Sequence, residues 1–305
     1  MIKRFSNEIG NIDFKLNESL APYTTFRIGG PADILVFPRN ENELKIVLDT
    51  AHRLDLPTFI LGGGSNLLIS DLGIRGVVIQ LVGEMETIRF SDDGKEIFVG
   101  AGVSFPKLTK VALDLGWEGA LGWHGTPGLV GGALKMNAGG PLGEIGAVVE
   151  VVHGVSPLGT QVFNRLDAGF RYRNSAFPSD AILTFAKLTY EGGDRAKAAA
   201  LVEKSRELVA RRKSTQPKQR SAGSMFKNPP GDFAGRLIEA AGLKGTRIGD
   251  AQISEVHANF LINLGRATAS DVYQLSQLAH ETVYKQTGVV LEYEVKLVGE
   301  GFLRA

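Results

Sequence analysis

From Gly116 to Gly131, in "GWEGALGWHGTPGLVG", a glycine stands at every third position: Gly116, Gly119, Gly122, Gly125, Gly128 and Gly131. A three-residue glycine period is the mark of the collagen helix, but this run is short, carries Trp, Leu and Glu between its glycines and has almost no proline. Collagen is excluded. What remains is a backbone that turns tightly or lies against something a side chain would strike, either a flat ligand or another stretch of main chain.

Around this run, strand and helix signals alternate. "FRIGGPADILVFP" predicts a glycine turn and a strand ended by Pro38, and "NENELKIVLDTAHRL" predicts a helix. In that helix Asn40 caps, Glu43 takes the capping-box position and Leu44, Val47, Leu48 and Ala51 share a face, with His52 beside the stripe. "PTFILGGGSNLLIS" is a strand entering a triple-glycine loop, followed by the short buried run "GVVIQL". Backbone amides in such a loop can approach a phosphate. The loop lacks a Gly-Lys-Ser/Thr ending and lacks G-x-G-x-x-G, so it supports neither an ATPase P-loop nor a standard dinucleotide fold.

"AVVEVVHGV" and "ILTFAKLTY" predict strands flanking "FRYRNSAF", and "DRAKAAALVEKSRELVARRK" predicts a long helix at a domain boundary. Beyond it, "GRLIEAAGLKG" reads as a helix stopped by Gly242 and "HANFLINLG" as a strand. "TASDVYQLSQLAHETVYKQTG" reads as a helix opened by Thr268 and Asp271 and closed by Gly288. In the last strand, "VVLEYEVKLVG", Leu291, Tyr293, Val295 and Leu297 alternate with Glu292, Glu294 and Lys296.

Composition narrows the chemistry. A formal charge of +1 offers no field for nucleic acid or an anionic membrane. The absence of cysteine removes thiolate catalysis, disulfides and cysteine-ligated metal, and His52, His124, His153, His257 and His280 never pair at ligand spacing, so no metal site is expected. The charged N-terminus and the lack of any long apolar run predict a cytoplasmic protein without a membrane partner. In "RSAGSMFKNP", Ser224 lacks the G-x-S-x-G frame of a nucleophile. The alternatives are a turn leading into core residues Met225 and Phe226, or a different chemical role.

"TTFRIGGPAD", "LGGGSNLLISD", "GTPGLVGGALKMNAGG", "RYRNSAF", "SAGSMFKNP", "GLKG…GDAQISEVHANFLIN" and "LEYEVKLVG" stand in one order from Thr24 to Gly299. Together they resemble the UDP-N-acetylenolpyruvoylglucosamine reductase family, in its shorter type without the tyrosine-loop insertion. The resemblance implies an α+β chain with a vanillyl-alcohol-oxidase-type (PCMH-type) FAD-binding domain in two subdomains, residues 1–80 and 81–210. A smaller C-terminal α/β substrate-binding domain, residues 211–305, follows. It implies non-covalent FAD held by Leu61, Gly62, Gly63, Gly64, Ser65, Asn66 and Leu67 and by Gly125, Thr126, Gly128, Gly131, Gly132, Asn137 and Ala138. Thr126 stands where the family usually has Ile, and Gly140, Pro141 and Leu142 replace a common Ala-Tyr-Gly.

The implied reaction uses NADPH as co-substrate to reduce UDP-N-acetylglucosamine enolpyruvate to UDP-N-acetylmuramate for peptidoglycan, in a monomer. Arg173 would fork onto the substrate carboxylate, where preorganised charge counts most. Glu294 would help polarise the enolpyruvyl group as a protonated donor, and Ser224 would protonate carbon. A hydroxyl is a weak acid, so that role needs a strongly basic acceptor and close placement. Tyr172, Lys213, Lys218 and Asn228 would contact substrate. Plainer readings stand beside these: Glu294 on a solvated strand face, the lysines ending a surface helix, Tyr172 in a core. Another FAD oxidase of the same fold, or a silent nucleotide-binding relative, is the rival for the whole chain.

Overall fold

The Asn40 Oδ1 accepts the Glu43 amide at 2.9 Å and opens the helix Glu41–Arg53, whose Leu44, Val47, Leu48 and Ala51 enter the core while His52 stays exposed. The Glu43 carboxylate reaches back to the Arg39 amide rather than to that of Asn40. In the computed structural model, which describes residues 1–302, this helix belongs to the first of two compact units. The first unit comprises Met1–Leu16, Ile34–Gly63 and Gly76–Ala210; the second takes Asn17–Asp33, Gly64–Arg75 and the described chain from Arg211 on. Residues 1–80 therefore supply both. Each unit has its own apolar core.

A four-stranded sheet runs in the order Phe14–Ser19, Pro31–Val36, Ile74–Ile79, Thr58–Ile60, the last two parallel. A five-stranded antiparallel sheet of the first unit runs Gly159–Asn164, Val149–Ser156, Ile182–Thr189, Glu96–Gly100, Ile88–Phe90. Its Val149, Val152, Val155, Ile97 and Val99 point into the core with the helix Phe105–Asp114.

The glycine period resolves into a 3₁₀ turn at Glu118–Trp123, a loop, and the short helix Val130–Lys135. Its first purpose is contact between backbones. A Cβ on Gly122 would lie 2.1 Å from the Gly143 carbonyl oxygen, and one on Gly143 would lie 2.3 Å from that of Gly119. A Cβ on Gly63 would come within 2.7 Å of the Gly128 Cα. Gly62 and Gly132, by contrast, face open space.

In the second unit distant segments are joined by specific pairs. Lys296–Val298 pairs in parallel with Leu67–Ile69. The Asp71 carboxylate accepts the amides of Ala269 and Ser270 at 2.8 and 2.9 Å, on the first turn of the helix Ala269–Thr287. A negative group there satisfies donors that no intrahelical carbonyl can reach. Thr268 and Asp271 form the expected reciprocal cap, and Gly288 ends the helix with φ 72°. The helix of "GRLIEAAGLKG" covers Ala234–Ala240.

Two expected strands are shorter than their apolar alternation suggests. Only Leu261–Asn263 and Lys296–Val298 are laddered; upstream of Lys296 the chain is held by isolated bonds, the Met225 carbonyl accepting the amides of Glu294 and Val295 and the Glu292 carbonyl accepting the Lys227 amide. The alternation nevertheless holds, with Leu291 and Val295 buried and Glu292 and Lys296 exposed. Among the described residues no helix is long and apolar enough to cross a membrane.

Because only main chain opposes Gly122, nothing nearby can yield to a methyl group. Gly122→Ala is expected to lower stability to urea by about 1–3 kcal/mol, the usual cost of overpacking. Gly119→Ala, whose Cβ meets nothing within 4 Å, should stay within about 0.5 kcal/mol of the parent.

Candidate active site

Arg171 and Asn174 exchange backbone hydrogen bonds at 3.0 and 3.1 Å, closing a reverse turn with Tyr172 and Arg173 at its tip. Arg173 holds φ 53°, at a position where turns needing positive φ ordinarily take Gly or Asn. That conformation costs about 1–2 kcal/mol for a side chain with a Cβ, comparable to one or two net hydrogen bonds. The turn must therefore be held from outside. Arg173 Nη1 donates to the Gly139 carbonyl at 3.0 Å, and its guanidinium carbon lies 5.4 Å from the Tyr172 ring centroid. Tyr172 is 57% exposed, which removes the core reading for it.

Asn137, 3% exposed and at φ 44°, spends its whole side chain on neighbouring groups. Its Nδ2 donates to Glu144 Oε2 at 2.7 Å and to the Arg171 carbonyl at 3.2 Å, and its Oδ1 accepts the Gly146 amide at 3.0 Å. A cavity of about 370 Å³ opens beside the pair, its wall including Arg165, Phe170 and Arg171.

Ser224 and Glu294 are brought together in the second unit. The Met225 carbonyl accepts the amides of Glu294 and Val295 at 2.9 and 3.3 Å, and Ser224 bridges to Phe260 on its other side. The pin is Asn259, 2% exposed. Its backbone carbonyl accepts the Met225 amide at 2.8 Å, its Oδ1 accepts the Phe226 amide at 3.0 Å and its Nδ2 donates to the Phe226 carbonyl at 2.8 Å. Nothing in the spacing marks Asn259 beforehand, although it stands within "HANFLIN". Asn66 Nδ2 donates to the Glu294 carbonyl at 3.0 Å, fixing that segment from a second direction. Ser224 is half-buried, and among the described residues its Oγ bonds no protein group.

The remaining expected substrate contacts are more open. Asn228 Oδ1 accepts the Ala234 amide at 3.1 Å, and among the described residues its Nδ2 bonds no protein group. Lys213, on the last turn of the helix Ala198–Thr215, and Lys218 are both exposed. Their positions suit a ligand phosphate and a helix end equally well.

The expected FAD residues divide by what their polar groups do. Among the described residues the amides of Gly62, Gly63, Gly125 and Gly128 and the hydroxyls of Ser65 and Thr126 bond no protein group. Free amides on glycines, next to open space at Gly62 and Gly132, fit an anionic group such as a pyrophosphate. Leu61, Gly131 and Ala138 instead commit their amides to Ile79, Ala101 and Ala133 carbonyls. Gly64 avoids the Tyr23 carbonyl oxygen, which would lie 2.1 Å from a Cβ, and Leu67 starts a strand. Asn66 and Asn137 brace the protein with their side chains.

The profile of the UDP-N-acetylenolpyruvoylglucosamine reductase C-terminal domain matches residues 216–298, and that of an FAD binding domain matches residues 32–162. UDP-N-acetylenolpyruvoylglucosamine reductase 2 of Symbiobacterium thermophilum is 46% identical over 287 residues, 92% of this chain and 91% of that one. The reductase of Anaeromyxobacter sp. strain Fw109-5 is 44% identical, over 92% of this chain and 87% of its own. The chain belongs to the UDP-N-acetylenolpyruvoylglucosamine reductase family. The crystal structure of the family's enzyme from Thermus caldophilus aligns with TM-score 0.79 and 38% identity, over 94% of this chain and 98% of that one. The resemblance read from the motifs thus extends over almost the whole fold.

His257 Nδ1 accepts the Asn259 amide at 3.2 Å, so the neutral ring carries its proton on Nε2. Burial pushes the His257 pKa below its ordinary value. Its stabilising contribution is therefore complete above the unfolded-state pKa and lost as pH falls below it, toward the folded value. The urea midpoint of the second unit should fall between about pH 7.5 and 5.5, and His257→Gln should flatten that decline.

Proposed function

We propose that this chain reduces the enolpyruvyl ether of UDP-N-acetylglucosamine enolpyruvate to UDP-N-acetylmuramate, at the expense of NADPH, on the way to peptidoglycan. The observation that carries this is the placement of Ser224 and Glu294 on adjoining backbone, joined through the Met225 carbonyl, in a chain of this family. When bound, FAD supplies the hydride taken up by the substrate's methylene carbon, and NADPH replaces it.

The protein's task is to make that carbon electrophilic and to complete the reduction. Arg173 offers a planar fork to the substrate carboxylate, into which the electrons of the double bond move. Its charge is already in place when that of the intermediate develops, so little reorganisation is needed. Glu294 acts with Arg173 in polarising the enolpyruvyl group, as a protonated carboxyl can. Ser224 then gives its proton to the carbon beside the carboxylate.

Among the described residues no base bonds the Ser224 hydroxyl, which disfavours a nucleophile and suits a donor used once per turnover. Asn228 Nδ2 and the exposed Lys213 and Lys218 serve the UDP-sugar, whose diphosphate explains local cations in a nearly neutral protein. Tyr172 borders the substrate beside Arg173. The residues from Arg211 on form the substrate-binding domain. No role assigned here needs a second copy, and we place the monomer in the cytoplasm, where its nucleotide substrates are.

An anaerobic visible spectrum separates the steps. NADPH should bleach the flavin of Ser224→Ala as fast as that of the parent, while return of the oxidised band on adding UDP-N-acetylglucosamine enolpyruvate slows ~10²–10⁴-fold. Equal slowing of both phases would remove Ser224 from the role of proton donor. A parent protein whose oxidised band never returns would remove the substrate.

A further inference from the structure

We propose that Asn137 and Glu144 form a positioning pair that holds Arg173 in its left-handed turn and aims its guanidinium. The inference rests on Arg173 being the group that receives the substrate carboxylate. It goes further by assigning two residues that touch neither substrate nor reacting atoms.

The turn and the guanidinium are both tied to one side chain. Asn137 Nδ2 donates to the Arg171 carbonyl, within the turn that forces Arg173 to φ 53°. The same Nδ2 donates to Glu144, the last residue of a hairpin in which Gly139–Gly140 pairs with Gly143–Glu144. The Gly139 carbonyl on that hairpin is the acceptor for Arg173 Nη1. Turn and hairpin thus meet at Asn137, and Gly146 N–H fixes its Oδ1 so that the amide cannot flip. A primary amide is the one side chain of this size that accepts from Gly146 while donating twice. Arg171 and Tyr172 are exposed, so no apolar packing replaces this connection.

The resemblance implies that Asn137 helps to hold FAD. Its side-chain hydrogen-bonding groups are used within the protein, so any such contact falls to the rest of the residue while the side chain serves the substrate end.

Asn137→Asp keeps the shape and the bond from Gly146 but turns a carboxylate toward Glu144. In the full-length FAD-loaded protein, flavin reoxidation at saturating substrate should slow by ~10²-fold, the scale of a misplacement of about 1 Å. The thermal midpoint should fall by a few degrees, the cost of a half-paired buried group, while the FAD dissociation constant and the rate of bleaching by NADPH stay near those of the parent. Adding Glu144→Gln to the variant restores a donor to the pair and should recover at least ~10-fold of the lost rate, which a merely structural defect would not do.

Parent-like reoxidation in Asn137→Asp, beside slow reoxidation in Arg173→Lys, would overturn the pair. So would loss of FAD and of thermal stability that Glu144→Gln does not correct. Parent-like reoxidation in Arg173→Lys itself would instead overturn the assignment of the carboxylate site. Should Asn137→Asp not fold, Glu144→Ala removes the acceptor alone, and reoxidation slowed less than ~10-fold there would overturn the proposal.

Discussion

The contact of main chain on main chain among Gly119, Gly122 and Gly143 is the constraint from which the first unit's site is built. Any side chain at Gly122 or Gly143 would have to occupy the space of a carbonyl oxygen. With both glycines bare, the hairpin of residues 139–144 is seated against the 3₁₀ turn Glu118–Trp123, and the Gly139 carbonyl and the Glu144 carboxylate are fixed relative to the core. Trp123 and Phe105, rings 5.6 Å apart, and the buried Trp117 anchor that turn from beneath. Within the glycine period, Gly122 is thus an adaptation of one loop to another, while a Cβ on Gly119 would meet nothing; outside it, Gly62 and Gly132 leave open space.

Loops cannot be held by apolar burial alone, because their polar main chain must find partners. Here asparagine side chains supply them. Asn137 joins the Arg173 turn to a hairpin, Asn259 takes both polar groups of Phe226 beside Ser224, and Asn66 holds the Glu294 carbonyl. Asn263 does the same structural service for Phe26. An amide carries donor and acceptor on one short, stiff arm, so it matches a peptide group as aspartate or serine cannot. Buried and fully satisfied, each is also costly to leave half-paired, which makes the local geometry nearly unique.

How much of this could be read beforehand follows from the range of each interaction. Caps and stripes involve neighbours within a few residues, so Asn40, Thr268 with Asp271, Gly288 and the face of Leu44, Val47 and Leu48 stood plain in the sequence. The alternation from Leu291 to Leu297 was equally plain, but not that isolated bonds to Met225 and Lys227 would replace the ladder there. Pairings across long stretches left no local trace. Asp71 capping a helix that begins at Ala269 involves an ordinary aspartate in a loop, and it draws Gly64–Arg75 into the second unit. For the proposed site, the resemblance carried by the order of motifs implies Ser224, Arg173 and Glu294, whereas the residues that hold their segments, Asn259 above all, carry no chemistry that spacing could flag.

Arg173 shows why the holding residues matter as much as the chemical ones. A turn at φ 53° with an arginine in place of glycine is unfavourable alone, and relaxing it would swing a long side chain through several ångströms. Glycine at that position would relieve the backbone but abolish the charge. The chain keeps the charge and opposes the strain with the paired bonds of Arg171 and Asn174 and with Asn137 behind them. Electrostatic catalysis works through groups that need not move when charge appears on the substrate. In the proposed reaction, a guanidinium whose turn is held by those bonds and whose Nη1 is tied to the Gly139 carbonyl would meet that condition before substrate arrives.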